Sequence, residues 1–129
     1  MAIAMTQKLI IILANTDPCD GEAIGAPIVQ AMVAATMSFH VEVICTGTST
    51  KLLKSGVADK IRLKSADTRS IHDFIKEAHA AGERFYYCSQ GLDLGGLHKC
   101  DLIPECKGVV GAAHLIEGIM SPESKVLTY

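Results

Sequence analysis

Lys8-Leu9-Ile10-Ile11-Ile12-Leu13-Ala14-Asn15-Thr16 is the stretch on which the fold turns. An apolar run without alternation is what a central strand buried on both faces requires. Such a strand implies helices above and below it, joined by crossovers. Asp17-Pro18-Cys19-Asp20-Gly21 breaks the run. Asp17 or Asp20 is then placed to cap a helix over 22–38, with Glu22 favourable in its first turn. Ile24, Ile28, Ala31, Met32 and Ala35 recur at spacings of three and four, one face of that helix. Pro27 either kinks it or marks its first turn.

Outward from this unit the period keeps switching. Val41–Thr46 reads as a second strand ended by Gly47, and Val41, Val43 and Cys45 alternate on one face of it. That makes Cys45 a buried small apolar residue. Thr48 or Ser49 caps a short helix running to Lys54, closed by Gly56, and Ile61–Lys64 is a brief extended piece. Asp67 or Thr68 caps a helix over 69–81, ended by Gly82. Its stripe is Ile71, Phe74, Ile75 and Ala78, while Arg69, Lys76, Glu77 and Glu83 read as solvated. Arg84–Tyr87 are strand formers that deliver Cys88 to a loop containing Gly91, Gly95 and Gly96. Gly108–Ala112 is a further strand, Ala113–Met120 a short helix stopped by Ser121-Pro122, and Lys125–Tyr129 an edge strand.

The predicted fold is α/β, a three-layer α/β/α sandwich with a mostly parallel sheet of about five strands, in one domain over residues 1–129. Right-handed crossovers align the strand ends at Thr16, Thr46 and Cys88 along one edge of the sheet, with Cys19, Cys45 and Cys88 near it. In parallel α/β proteins that edge is where ligands and reactive groups gather.

Composition narrows the function. Of the 129 residues, 49% are apolar and 20% charged, so a core forms without staples, and the lack of Trp leaves it to Ile, Leu, Val, Ala and Met. A net charge of −2 with no basic block speaks against nucleic acid as a partner. Met1–Thr6 lacks the charged region and cleavage site of a signal peptide, and the apolar run Leu9–Ala14 is too short to span a bilayer. Five cysteines, an odd number, then fit free thiols in a reducing cytoplasm.

Among those thiols Cys88 is the candidate nucleophile. A thiol reacts as thiolate and needs positive potential to ionise near neutrality. N–H groups of the Gly-rich turn, or His98 or Lys99 if the loop folds back, supply it. Cys100 and Cys106 follow, and a second thiol can resolve or receive what the first carries. Zinc is the rival use of His98, Cys100 and Cys106 with Cys88, but no Cys-x-x-Cys pair is present. Cys19, after a proline, reads as an ordinary loop residue. The histidines His40, His72, His79 and His114 form no set, with His72 and His79 on the outer face of their helix. Asp93, Asp101 and Glu105 read as loop solvation. No phosphate-loop glycine pattern occurs.

Phe85-Tyr86-Tyr87-Cys88-Ser89-Gln90-Gly91-Leu92-Asp93-Leu94-Gly95-Gly96-Leu97 and, later, Gly108-Val109-Val110-Gly111-Ala112-Ala113-His114-Leu115 resemble the DsrE/DsrF-like family of sulfur-trafficking proteins. The resemblance implies a three-layer α/β fold assembled as a homotrimer or homohexamer. It implies a cysteine that accepts sulfane sulfur, as persulfide or thiosulfonate, and passes it to a carrier such as a TusA-like protein. Sulfur-donor and sulfur-acceptor proteins, TusA-like or rhodanese-like, are the implied partners, and no cofactor or metal is needed. By position the acceptor is Cys88, and Cys100 is the candidate second cysteine of the loop. Cys106 matches no family position, and Cys19 is particular to this chain. Two other classes stand beside this one. One is a thiol-disulfide oxidoreductase or peroxidase using Cys88 and Cys100, the other a non-catalytic nucleotide- or partner-binding subunit.

Overall fold

The computed structural model describes residues 7–14, 16–18, 21–62, 68–89 and 97–129. Five strands form one parallel sheet: β1 (Lys8–Leu13), β2 (His40–Cys45), β3 (Arg84–Cys88), β4 (Cys106–Val110) and β5 (Ser124–Thr128). Their order is β4-β3-β2-β1-β5. The helices are α1 (Gly21–Thr36), α2 (Ile71–Ala80) and α3 (Ala112–Met120). Among the described residues no helix is long and apolar enough to cross a membrane.

The order of strands explains the layers. From β1 to β4 the chain steps in one direction across the sheet, then returns past β1 to add β5. Right-handed crossovers put steps in opposite directions on opposite faces. So α1 and α2 cover one face together, and α3 covers the other.

On the α1/α2 face, Ile11 and Leu13 of β1, Val41, Val43 and Cys45 of β2, and Phe85 and Tyr87 of β3 form one buried cluster. Ile24, Ile28, Ala31 and Ala35 of α1 and Ile71, Phe74 and Ile75 of α2 complete it. Each fully buried Leu, Ile or Phe there stabilises by roughly 1.5–3 kcal/mol. The opposite face is thinner. Ile10, Ile12, Ile44 and Val110 are buried, with Tyr86, Leu115, Ile119 and Val126 partly buried against them. Gly118 lets α3 approach β1, because a Cβ there would lie 2.8 Å from Ile10 Cδ1.

Several local expectations are corrected. The helix after β2 is a 3₁₀ turn, Gly47–Leu53, and its cap is Thr46, whose N–H donates to the Ser49 hydroxyl at 3.0 Å. Helix α2 is capped by Ser70. Its hydroxyl accepts the Asp73 N–H at 3.2 Å while the Asp73 carboxylate accepts the Ser70 N–H at 2.9 Å. That capping box satisfies two otherwise orphaned donors and is worth about 1 kcal/mol. In the brief extended piece expected over Ile61–Lys64, Arg62 makes an isolated antiparallel bridge to Ser70, and positions 63 and 64 lie outside the described residues. Pro27 lies inside α1, which starts at Gly21. The Asp20 cap, the Asp67 cap and the loop glycines Gly91, Gly95 and Gly96 fall outside the described residues. In β4 the register shifts between Phe85 and Tyr86 of its partner strand, skipping Lys107, and Gly108 takes up the bulge at φ +156°.

Candidate functional site

Cys88 ends β3, directly opposite Val110 at the end of β4. The described part of the β3–β4 connection, residues 97–105, packs on the α1/α2 face, where Leu102 and Ile103 join the core, whereas the connection leaving β4 enters α3 on the other face. Two neighbouring strands whose connections part to opposite faces open a crevice at their carboxyl ends. Cys88 ends β3 at that change of faces, partly buried. Side chains alternate along a strand, so Cys88 shares the α3 face with Tyr86, while Phe85 and Tyr87 enter the other core. Ser89, the last described residue after β3, is helical.

Helix α3 begins two residues beyond Val110, at the same end and on the same face as Cys88. Its Gly111 N-cap has no side-chain cap, and no acidic residue lies in its first turn. The first N–H groups of a helix have no partner within it and carry the positive end of its dipole. On the other flank the strand ends are locked. The Ser49 hydroxyl donates to the Leu13 carbonyl at 2.5 Å and accepts from Thr46, and the Thr46 hydroxyl donates to the Leu13 carbonyl at 3.2 Å. The thiol therefore sits at a hydrogen-bonded edge of the sheet, at the same end as the start of α3.

The other thiols are placed apart. Cys100 is exposed in the 3₁₀ turn Lys99–Asp101. That turn is fastened to the 47–55 segment on the α1/α2 side. Ser55 N–H donates to the Asp101 carbonyl at 2.7 Å, and Ile103 N–H to the Leu53 carbonyl at 2.7 Å. Cys88 and Cys100 thus lie toward opposite faces of the sheet. Cys106 begins β4 opposite Phe85, three residues or about 10 Å of strand below the level of Cys88. Burial pushes its thiol up. A zinc ion holds sulfur at about 2.3 Å, so Cys106 and Cys88 do not share one. Cys45 is fully buried, and burial pushes its thiol far up, leaving it inert. Cys19 lies outside the described residues. His98 is exposed, and its N–H donates to the Asp101 carboxylate at 3.0 Å.

Three charged groups differ from expectation. Glu83, read as solvated, is 1% exposed, and neither carboxyl oxygen meets a donor among the described residues. Burial pushes that carboxyl up to about 9. The residue precedes β3 by one position and alternates inward with Phe85 and Tyr87. Glu105, read as loop solvation, is buried and meets His72 Nε2 at 2.5 Å, so His72 faces the 103–106 connection instead of solvent. His114 reaches from α3 to Glu42 in β2, Nε2 to Oε1 at 2.9 Å. Glu42 is 8% exposed, and its other oxygen meets Lys8 Nζ at 2.7 Å. Desolvation raises the Glu42 carboxyl, but the bonds from Lys8 and His114 outweigh it and hold it below the usual range. Its position between Val41 and Val43 was the available signal, since a carboxylate there must point to the face those two leave.

Comparison with known proteins follows the same outline. The DsrE/DsrF/DrsH-like family model matches residues 47–127, more than half of the chain. Among solved structures, the ychN protein from E. coli superposes with a TM-score of 0.75 at 15% identity, covering 97% of this chain and 100% of that one. MTH1491 from Methanobacterium thermoautotrophicum, a protein of unknown function, gives a TM-score of 0.69 at 16% identity, covering 95% and 99%. BT1422 from Bacteroides thetaiotaomicron, a conserved protein of unknown function, gives 0.65 at 21%, covering 98% and 100%. At these identities the three share the fold. No curated protein sequence matches the chain.

Proposed function

Because this chain belongs to the DsrE/DsrF/DrsH-like family, we propose that it is a sulfur carrier whose acceptor thiol is Cys88. The observation that carries this reading is the position of Cys88 at the end of β3, opposite Val110 and at the sheet edge where α3 starts without a side-chain cap. There the thiol is only partly buried and remains reachable by a donor.

The chemistry needs no cofactor. The Cys88 thiolate attacks the outer sulfur of a donor persulfide. The donor S–S bond breaks, its electron pair leaves on the donor thiolate, and Cys88 becomes a persulfide. An acceptor thiolate then attacks that outer sulfur, and Cys88 leaves as thiolate, so sulfane sulfur moves with no net oxidant or reductant. Donor and acceptor are proteins of rhodanese-like or TusA-like type in a reducing cytoplasm. The carrier itself works as a homotrimer or homohexamer. Cys100, exposed and on the other side of the sheet, serves as a second relay thiol rather than as a disulfide partner.

The test is intact mass after exposure to polysulfide or thiosulfate-derived donors, on wild type, Cys88→Ser and Cys100→Ser. The expected result is a dithiothreitol-reversible gain of sulfur in wild type and Cys100→Ser that is lost in Cys88→Ser. A two-proton loss without added sulfur would instead indicate a disulfide oxidoreductase.

A further inference from the structure

The attachment of α3 to the sheet is unusual for a helix that flanks a reactive thiol. None of its residues is buried, and Ile116 and Met120 stand 56% and 75% exposed. Leu115 and Ile119 supply its partly buried apolar contacts. The specific bond is the one from His114, in the first turn, to Glu42 in β2, the middle strand of the five.

Every group around that bond is committed to it. Glu42 Oε1 meets His114 and Oε2 meets Lys8 of β1. The His114 ring also packs on the Tyr86 ring of β3, with centroids 5.7 Å apart at 51°. Glu117, one turn further along α3, lines the adjoining groove with Lys8, Ser121, Glu123 and Ser124. Burying a carboxylate costs several kcal/mol, and apolar replacement of a buried ion pair is often neutral or stabilising. Stability alone is thus a small reason for Glu42 on this face, and the location of α3 is a further one.

We propose that His114, held by Glu42 and Lys8 and seated on Tyr86, is a positioning residue that fixes the first turn of α3 beside Cys88. The proposal rests on Cys88 being the reactive thiol, but not on sulfur being its cargo. Tyr86 lies two residues from Cys88 on the same face, so His114 registers the helix against the same strand that presents the thiol. If the bond is lost, the first turn keeps only its link to β4 and the partly buried Leu115, and its placement relative to Cys88 is no longer fixed.

The test is the rate of Cys88 alkylation by iodoacetamide, resolved by peptide mass and followed from pH 6 to pH 10 on the full chain. His114→Ala is expected to react about threefold more slowly near neutrality, the size of a helix-end effect, and to converge with wild type where the thiol is fully ionised. His114→Gln retains an N–H donor for Glu42 and is expected to follow wild type. Glu42→Met, which fills the site with an apolar side chain while Lys8 and His114 turn to solvent, should repeat the loss in a folded protein. Native circular dichroism with one common alkylation profile for wild type, His114→Ala and Glu42→Met would overturn the proposal. Sulfur loading of wild type is scored separately. Loading without a variant effect on alkylation removes the positioning role alone, and a variant effect without loading removes the sulfur reading alone.

Discussion

On the α1/α2 face of the sheet, Val43, Phe85 and Ile11 meet Ile28, Ile75 and Phe74, and hydrocarbon fills the layer. On the α3 face, a smaller apolar cluster shares the space with Glu42, Lys8 and His114, and the covering helix buries no residue completely. The first arrangement stabilises through area and packing, without direction. The second supplies less area, but its hydrogen bonds fix one helix in one place. Cys88, the proposed acceptor thiol, stands on the second face. A scaffold of this kind separates its two tasks, with folding energy on one side and alignment on the other.

Substitutions break that comparison in order of size. Phe85→Ala, in the fully buried layer, is expected to cost about 3–5 kcal/mol, measured by urea denaturation. A loss under 1 kcal/mol would mean that the α1/α2 face is not the main store of stability.

Glu83 is the exception on that apolar face, and its effect depends on pH. Its folded carboxyl sits near 9, above the ordinary glutamate value, so the buried neutral form contributes fully below that ordinary value. The contribution is lost as pH rises toward 9, by at most about 1.4 kcal/mol per pH unit. Thermal unfolding of wild type should weaken steadily from about pH 5 to 9, and Glu83→Gln should remove most of that slope and be the more stable protein at pH 8. Parallel slopes for the two proteins would contradict the burial.

Glu42 behaves in the opposite sense. Its folded carboxyl is lowered, so its contribution is present above the unfolded value and is lost as pH falls through the folded one. Glu42→Gln is expected to cost about 1 kcal/mol at pH 7, since Lys8 and His114 are partly solvated, and close to nothing at pH 3, again by denaturation. The smallest effect belongs to Ile116→Ser on the outer side of α3, expected within about 0.5 kcal/mol of wild type.

The layers were legible because the apolar periods are strong. Leu9–Ala14 and the Ile71, Phe74, Ile75, Ala78 stripe determine elements by pattern alone, and Cys88 at a strand end followed from the break after Tyr87. What escaped the sequence depended on partners far along the chain. Glu42 and His114 are 72 positions apart, and His72 and Glu105 are 33 apart. Composition does not distinguish a histidine facing water from one facing a buried carboxylate. Glu83 looked solvated because it follows a helix-ending glycine, yet strand alternation with Phe85 turns it inward. Cys100 and Cys106 read as neighbours of Cys88 because they follow it in sequence. A crossover to the next parallel strand carries them to the other face and to the far end of β4.

The most direct measurement is to load wild-type protein with polysulfide, trap persulfides with an alkylating reagent, and map the retained sulfur by peptide mass spectrometry. The account predicts that the extra sulfur resides on the peptide containing Cys88, with Cys45 and Cys106 unmodified. Sulfur residing on Cys100 or Cys106 while Cys88 remains a plain alkylated thiol would contradict it.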